Sequence, residues 1–315
     1  MVNPSKQGKT RISADPDGGV AASPVQPAEF SLGDDGTILA GPLAVGGNPA
    51  PRLAFRDPGD TIRLYHGNSF ELLDAITANF PGGYFDCIFA DPPYFLSNGG
   101  ITCHAGKMVK VDKGDWDKSR GPDLNHEFNV EWLRRCQRVL KPDGTIWVSG
   151  TMHVIHSIGH AMQQLGFKML NDITWEKPNP PPNLSCRYFT HSTETVLWAA
   201  KNAKSKHRFN YAAMREANGG KQMKAVWKIS APGGDEKKLG KHPTQKPVAL
   251  VERCLLASTT EGDRVLDPFL GGGTTAIAAL RTGRHCTAIE ADAAHLDLAI
   301  ARVKAECSEK AAWLL

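Results

Sequence analysis

Four consecutive residues, Asp91-Pro92-Pro93-Tyr94, combine the groups needed to hold a flat ring that carries an exocyclic amine. Asp91 only accepts hydrogen bonds when ionised, and Tyr94 offers an aromatic face for stacking. The prolines fix φ and remove two N–H donors, so the backbone is rigid and its carbonyls can accept. Such a site would position an arylamine nitrogen and stabilise the positive charge that it gains in attacking a methyl sulfonium. An ordinary proline turn at a strand end is the alternative.

A second segment, 267–275, is a glycine-rich loop between a predicted strand and a predicted helix. Its glycines let a ligand approach the backbone, and the helix start offers unpaired N–H groups. The third glycine of the dinucleotide fingerprint is absent and Asp267 precedes the loop, which favours a ligand with an ammonium group. Glu290 ends the next predicted strand, where an acid binds ribose hydroxyls. S-adenosyl-L-methionine carries both groups; a tight turn with an incidental acid is the alternative.

The elements that must position these two segments alternate between strands and helices. Strands are predicted at 61–66, 84–90, 145–149, 172–176, 194–200, 264–267 and 285–290, and helices at 69–80, 127–140, 153–165, 248–258, 274–283 and 294–307. This alternation predicts an α/β domain whose mostly parallel sheet is covered by helices on both faces. Ligands of such sheets bind beyond the carboxyl ends of the strands, so both segments should line one cleft.

Composition and charge narrow the class of protein. The chain of 315 residues is 41% hydrophobic and 22% charged, typical of a globular protein of one or two domains. Its seven scattered cysteines include no C-x-x-C pair, so we expect neither a disulfide framework nor a metal site. It has no apolar run of about 18 residues and no apolar N-terminal segment, which predicts a cytoplasmic protein without a membrane partner.

Two stretches of the chain have an unusual composition or charge. Residues 1–58 are rich in glycine and proline and aperiodic, and they are expected to form a disordered or loosely ordered tail. Residues 201–246 hold twelve lysines and arginines against three acids, a net charge of +9. Such a concentration favours a polyanionic partner, with a solvated surface as the alternative.

Together, Asp91–Tyr94 and Asp267–Thr275 resemble the motifs of the β-class (permuted) amino-group DNA methyltransferases, of the kind that accompanies type II restriction systems. Asp in the first position of the tetrapeptide is typical of the adenine-N6 type, whereas the cytosine-N4 type usually has Ser there. The segment 242–247 (HPTQKP) resembles the one that lies against the cofactor in this family. The tetrapeptide precedes the cofactor loop, as in the permuted arrangement.

The resemblance implies a Rossmann-like sheet of seven strands, one of them reversed, with helices on both faces. It also implies a methyltransferase domain at 59–315, with a catalytic half at 59–200, a target-recognition region at 201–241 and a cofactor-binding half at 242–315. A flipped adenine would contact Asp91, Pro92, Pro93 and Tyr94. The residues implied at the S-adenosyl-L-methionine site are Thr244, Lys246, Asp267, Phe269, Gly271, Gly273, Thr274 and Glu290.

The implied activity is sequence-specific methylation of adenine N6 in DNA. Methylation of cytosine N4, or a catalytically silent DNA-binding role, is the alternative. Double-stranded DNA is the expected partner, with single-stranded DNA, a homodimer and a cognate restriction endonuclease left open. The segment 97–116 resembles a loop of a subgroup that accompanies GATC-type restriction enzymes. The residues expected to contact DNA are Lys107, Lys113, Arg187, Lys221, Lys224 and Lys228.

Overall fold

The computed structural model describes residues 50–97 and 117–309 in full, together with the backbone of 31–32, 38–39, 101–104, 107–110 and 310–312. Its strands are β1 (Ser31–Leu32), β2 (Ile38–Leu39), β3 (Arg52–Arg56), β4 (Ile62–His66), β5 (Phe85–Ala90), β6 (Ile101–His104), β7 (Lys107–Lys110), β8 (Leu140–Gly150), β9 (Lys168–Glu176), β10 (Thr193–Ala200), β11 (Val226–Lys228), β12 (Arg264–Asp267) and β13 (His285–Glu290). Its helices are α1 (Ser69–Asn79), α2 (Pro122–Val139), α3 (Ile155–Gln164), α4 (Tyr211–Ala217), α5 (Val248–Ser258), α6 (Thr274–Thr282) and α7 (Ala293–Ala312).

One sheet organises the fold, in the strand order β11-β9-β10-β8-β5-β12-β13-β4-β3. β10 runs antiparallel to both of its neighbours, β8 and β9. The other central pairs, from β8 through β5, β12 and β13 to β4, are parallel. The mostly parallel sheet with one reversed strand is therefore confirmed for the seven strands that the sequence predicts.

Two edge strands extend this sheet to nine, so the expected count of seven is too low. β3 pairs antiparallel with β4, and β11 pairs parallel with β9. Both are short and expose alternate residues. A strand with one neighbour and so few buried residues leaves only a weak hydrophobic pattern in the sequence. Because β3 is part of the sheet, the expected tail boundary at residue 58 is too late.

Helices cover both faces of the sheet, and each face has its own hydrophobic cluster. α5, α6 and α7 pack on one face, where the buried rings of Trp147 and Trp198 stack with centroids 4.6 Å apart. α1, α2 and α3 pack on the other face, around the buried Trp132. No helix among the residues described is long and apolar enough to cross a membrane. Within the described residues, the two helical layers leave the carboxyl-end edge of the sheet open.

Candidate active site

The two segments singled out in the sequence meet at that open edge. Asp91 follows the last residue of β5, and Asp267 is the last residue of the adjacent β12. Between them lies a cavity of about 560 Å³, lined by residues of both segments and by residues of the 242–246 segment. This volume is within the range of pockets that bind small ligands and cofactors. The expectation that both strand ends line one cleft is confirmed.

The carboxylate of Asp91 is held by three donors from different parts of the chain. The Tyr94 hydroxyl and the Ser149 hydroxyl donate to Oδ1 at 2.7 and 2.6 Å. Lys246 Nζ donates to Oδ2 at 2.6 Å. Because the side chain of Lys246 is 5% exposed and that of Asp91 16%, this ion pair is largely shielded from water. Asp91 is therefore oriented before any ligand binds.

A second ion pair supports the first. Glu194, at the start of the reversed strand β10, has Oε2 3.8 Å from Lys246 Nζ. Its other oxygen binds Lys177 Nζ. Burial alone would lower the pKa of Lys246, but Asp91 and Glu194 raise it above its ordinary value. Burial would raise the pKa of Glu194, but Lys246 and Lys177 lower it. Two carboxylates and two ammonium groups thus form a charge-balanced cluster.

Tyr94 is fixed at both ends. Its backbone N–H donates to Asp117 Oδ1 at 2.8 Å, and Asp117 Oδ2 accepts from the N–H of Leu96 and the hydroxyl of Ser97. Burial, together with the charges of Asp91 and Glu194, raises the pKa of the Tyr94 phenol. The phenol therefore stays protonated and keeps donating to Asp91. Lys246 Nζ lies over the ring, 5.2 Å from its centroid.

The glycine-rich loop has a backbone that side chains would obstruct. Gly271 has a φ of +52°, and a Cβ there would lie 3.0 Å from the imidazole of His242. Gly273 has a φ of +82°, precedes α6, and a Cβ there would lie 2.9 Å from Ala299. Both positions favour glycine because they need a positive φ in a crowded place.

Two acids flank this loop, Asp267 being buried and Glu290 half-buried. Asp267 accepts from the N–H of Phe269 at 2.9 Å, and burial raises its pKa to about 7. The charged groups that act on it, Asp91 and Glu290, are negative and raise its pKa further. Glu290 accepts from the N–H of Gly271 at 2.7 Å and of Asp292 at 2.9 Å, and burial raises its pKa. Both acids therefore favour a cationic or hydroxyl-bearing ligand.

The remaining cavity wall suits such a ligand. His242 is uncharged at neutral pH, since burial and the neighbouring His295 lower its pKa to about 3. Gln245 lines the cavity as well, and its Oε1 is buried without a hydrogen-bond partner within the described part of the chain. Phe269 and Phe128 supply aromatic wall. The residues present fit S-adenosyl-L-methionine, which has an ammonium, a sulfonium, a ribose and a purine.

Other residues predicted at the cofactor site lie at the cavity. Thr244 and Thr274 line it, and the Thr274 hydroxyl donates to the carbonyl of Lys246 at 3.1 Å. Lys246 also lines it, but its ammonium contacts Asp91. Sequence reasoning missed Ser149, Glu194 and Lys177. An acid at the start of the reversed strand was the one available signal, because that end of β10 shares the edge of Asp91.

The residues predicted to contact DNA are dispersed. Arg187 is exposed in the β9–β10 connection, and Lys221 and Lys224 are exposed ahead of β11. Lys228 ends β11, with Nζ 3.7 Å from Glu176 Oε1. Lys107 belongs to β7, whose backbone alone is described, and Lys113 lies outside the described residues.

Comparison with known proteins gives related sequences. The model of the N6_N4_Mtase family, described as DNA methylase, matches residues 85–301. The chain is 55% identical over 244 residues to the Type II methyltransferase M2.DpnII of Streptococcus pneumoniae, covering 77% of this chain and 90% of that protein. It is 46% identical over 244 residues to the Type II methyltransferase M2.MboI of Moraxella bovis, covering 78% and 88%.

Solved structures share the fold. The crystal structure of an M1.HpyAVI–SAM complex matches with a TM-score of 0.59 and 28% identity, over 77% of this chain and 98% of that one. The cytosine-N4-specific PvuII DNA methyltransferase matches with the same TM-score and 19% identity, over 79% and 89%. At 19% identity the second likeness concerns the fold alone.

Proposed function

Because this chain belongs to the DNA methylase family, we propose that Asp91–Tyr94 present N6 of a flipped adenine to S-adenosyl-L-methionine bound beside Asp267 and Glu290. The protein is an S-adenosyl-L-methionine-dependent DNA methyltransferase. One observation carries the assignment of roles: an oriented, ion-paired Asp91 lies at the same cavity as the glycine-rich loop and its two acids. Asp in the first position of the tetrapeptide supports adenine as the target.

Asp91 has one acceptor position suited to the adenine amine. An ionised carboxylate offers about four lone-pair sites. Two donors occupy Oδ1 and one occupies Oδ2. The second site on Oδ2 can accept one N6 hydrogen, and the backbone carbonyl of Pro92 or Pro93 can accept the other. Two fixed acceptors would hold the amine so that its lone pair points out of the plane of the ring.

The charge cluster around Asp91 prepares the site for the charge that develops on N6. Because Lys246 pairs with Asp91 at a place largely shielded from water, the Asp91 carboxylate would lie oriented beside the nitrogen as it becomes positive. Preoriented charge of this kind needs no reorganisation during the reaction. Tyr94 holds the carboxylate through its hydroxyl and borders the space where the adenine ring would stack.

The cofactor half would bind through complementary groups. When bound, S-adenosyl-L-methionine supplies an electrophilic methyl group on a sulfonium. Asp267 would accept from the ammonium, and Glu290 from the ribose hydroxyls. Gly271 and Gly273 would let the backbone approach the ligand, with Thr244, Thr274 and Phe269 completing the wall. In this role the Lys246 side chain acts on Asp91, while its backbone carbonyl fastens the 242–247 segment to α6.

Nucleoside analysis tests the proposed function. The protein is incubated with methyl-labelled cofactor and duplex DNA, the DNA is digested, and the labelled nucleoside is identified by mass. We expect N6-methyladenine. N4-methylcytosine would overturn the assignment of adenine, and cofactor binding without any labelled nucleoside would favour a catalytically silent relative. Duplexes with and without GATC test the recognition sequence that the resemblance of segment 97–116 suggests.

The proposal also covers the cellular role, the form of the DNA substrate, the oligomeric state and a partner endonuclease. The related proteins are named as Type II methyltransferases, which supports a role in a restriction–modification system and a cytoplasmic location. Double-stranded DNA is the proposed substrate, read by residues 201–241 with Lys221, Lys224 and Lys228 on phosphates. Methylation rates on single strands and duplexes of the same sequence test whether double-stranded DNA is the substrate. Sedimentation at several concentrations tests a homodimer, and a search of neighbouring genes tests a cognate endonuclease.

A further inference from the structure

The connection between β9 and β10, residues 177–192, lies at the catalytic edge of the sheet; we call it the edge loop. It leaves β9 after Glu176 and enters β10 at Thr193, and these two residues are paired. Thr195 of β10 pairs in turn with Gly150, the last residue of β8. Since β8 runs parallel to β5, the edge loop emerges on the same side of the sheet as Asp91.

The edge loop exposes aromatic side chains there. Phe189 is 96% exposed and Tyr188 60% exposed. Leu184 in the same loop and Met152, which follows β8, are exposed as well. Single exposed apolar residues are normal on protein surfaces, whereas several of them exposed together indicate an interaction site. Because these side chains lie at the same edge of the sheet as Asp91, a large ligand that enters the cavity would pass close to them.

The charge of the edge loop identifies the kind of partner. Between residues 177 and 192 there is no Asp or Glu; Lys177 is paired with Glu194 at the base of the loop, and Arg187 is basic and exposed. Arg187 directly precedes Tyr188 and Phe189 at the exposed part of the loop. Aromatic side chains next to cationic ones suit nucleic acid, because the rings stack on bases while the cations contact phosphates.

The edge loop is also built to present its aromatic side chains in a fixed way. Prolines occupy positions 178, 180, 181 and 182, and Lys177 N–H donates to the carbonyl of Ser192 at the base of the loop at 2.8 Å. Asn183 donates to the Tyr188 carbonyl at 2.6 Å and accepts from the N–H of Ser185 at 3.0 Å. The Tyr188 and His191 rings lie 5.3 Å apart. These contacts fix the backbone next to Phe189, whose side chain is 96% exposed.

The base of the edge loop is connected to the catalytic carboxylate. Lys177, its first residue, binds Glu194. Glu194 lies 3.8 Å from the Lys246 ammonium, which binds Asp91. DNA that places an adenine amine on Asp91 would therefore lie alongside the edge loop.

We propose that Phe189 is the residue that stacks on a base of the duplex exposed by extrusion of the target adenine, with Tyr188 and Arg187 beside it on the DNA. The inference rests on the proposed function, since it assumes a base flipped towards Asp91. Flipping costs the stacking and pairing of the target base. An apolar ring inserted at the vacated step offsets part of that cost.

The test compares a target that must be flipped with one that is already unpaired. One duplex carries the normal target adenine, and a second carries the same adenine opposite an abasic site. Phe189→Ala should lower kcat/KM on the normal duplex by about tenfold or more, given the usual worth of base–aromatic stacking. On the abasic duplex it should change kcat/KM by less than about threefold. Phe189→Trp should restore the rate on the normal duplex, and Phe189→Leu should not.

Leu256→Ala is the control. Leu256 is also a large exposed apolar residue, 40% exposed, but it lies in α5, outside the edge loop and outside the proposed target-recognition region 201–241. It should leave both duplexes unaffected. Fluorescence of 2-aminopurine at the target position gives a second readout, because Phe189→Ala should reduce the rise that accompanies flipping in the wild-type complex.

Other outcomes overturn the inference. Equal rates of wild type and Phe189→Ala on the normal duplex would exclude the stacking role, and an equal loss on both duplexes would mean a merely structural role. If Phe189→Ala converts a dimer to a monomer in sedimentation while the duplex preference stays unchanged, the patch contacts a second copy instead. If the wild type methylates neither duplex, the proposed function itself fails, and that result is distinct from all of these.

Discussion

Two aspartates at the ends of neighbouring parallel strands have opposite electrostatic surroundings. Asp91, after β5, is paired with Lys246 at 2.6 Å and bound by two hydroxyls. Asp267, at the end of β12, is buried among negative neighbours, and its pKa rises to about 7. The chain itself supplies the cation for the first carboxylate, whereas under the proposed function the second would gain its cation from the ligand. The catalytic half is therefore preorganised, and we propose that binding completes the cofactor half.

The largest effect is expected from a substitution that impairs the catalytic half and leaves the cofactor half intact. Asp91→Ala should lower kcat by ~10²–10³-fold or more, because it removes an oriented acceptor for N6 and the charge that stabilises it. Cofactor affinity should change little, since Asp267 and Glu290 lie on other strands. Labelled methyl transfer and calorimetry with S-adenosylhomocysteine measure the two effects. Asp91→Asn, which keeps the shape and loses the charge, separates positioning from electrostatics; near-normal turnover of Asp91→Ala would remove Asp91 from the reaction.

The next largest effect concerns the buried cation. Lys246→Met leaves Asp91 and Glu194 without their shared partner, and breaking a buried ion pair typically costs ~3–5 kcal/mol. The free energy of unfolding in urea should fall by about that amount, and turnover should fall with it. Lys141→Met is the control: Lys141 is bonded to Asp86 at 2.7 Å but partly exposed, so about 0–1 kcal/mol is expected. Equal losses in both variants would contradict a special role for Lys246.

The shared cleft was predictable from the sequence because it follows from a general rule of parallel sheets. Asp91, Asp267 and Glu290 each end or follow a strand whose apolar run is easily recognised. The strands β5, β8 and β12 have runs of buried residues on both faces and therefore carry strong apolar patterns. β3 and β11 are edge strands, and their few buried residues give little signal.

The partners of Asp91 could not be predicted in the same way. Ser149 and Glu194 lie 58 and 103 residues further along the chain, and only the pairing of β8 with β5 and of β10 with β8 brings them close. The resemblance of its segment to a cofactor-contacting one assigns Lys246 to the cofactor. Its long side chain instead crosses to Asp91, and such a choice between two nearby anions depends on packing that a linear pattern does not contain.

A smaller effect, in pH dependence, sharpens the comparison at Asp267. If a ligand ammonium binds ionised Asp267, affinity should rise by about tenfold between pH 6 and pH 8, since the pKa of the free site is about 7. Calorimetry with S-adenosylhomocysteine measures this, and Asp267→Asn should bind weakly with a flat profile. A flat profile in the wild type would show that Asp267 does not bind the ammonium.

The stability of the ligand-free protein gives an independent check on the same group. The folded-state pKa of Asp267 lies above the unfolded value of 3.8. The folded state therefore retains the extra proton, and the resulting stabilisation, full below about pH 4, is lost as the pH rises through about 7. In Asp267→Asn this part of the pH dependence should be absent. Matched urea titrations of both proteins at pH 5 and pH 8 measure the difference.

The smallest expected effect lies outside both carboxylate sites. Lys221, Lys224 and Lys228 are exposed, and Lys228 ends β11 next to Glu176, close to where the edge loop begins. Replacing all three with Glu should weaken DNA binding and leave the affinity for S-adenosylhomocysteine unchanged. For each lysine that neutralises a phosphate in the wild-type complex, its replacement should reduce the slope of log K against log salt by about 0.9.

Single variants distinguish a DNA surface from a general effect of net charge. Lys228→Glu should account for more of the change in salt slope than Lys224→Glu, because Lys228 is at the catalytic edge and Lys224 precedes the strand. Lys304→Glu is the control, since Lys304 is exposed on α7, away from the edge loop. If the triple variant has the wild-type slope, or if Lys304→Glu changes it equally, these lysines do not contact phosphates. DNA would then be bound by the edge loop and the cavity rim, and the basic stretch would be only a solvated surface.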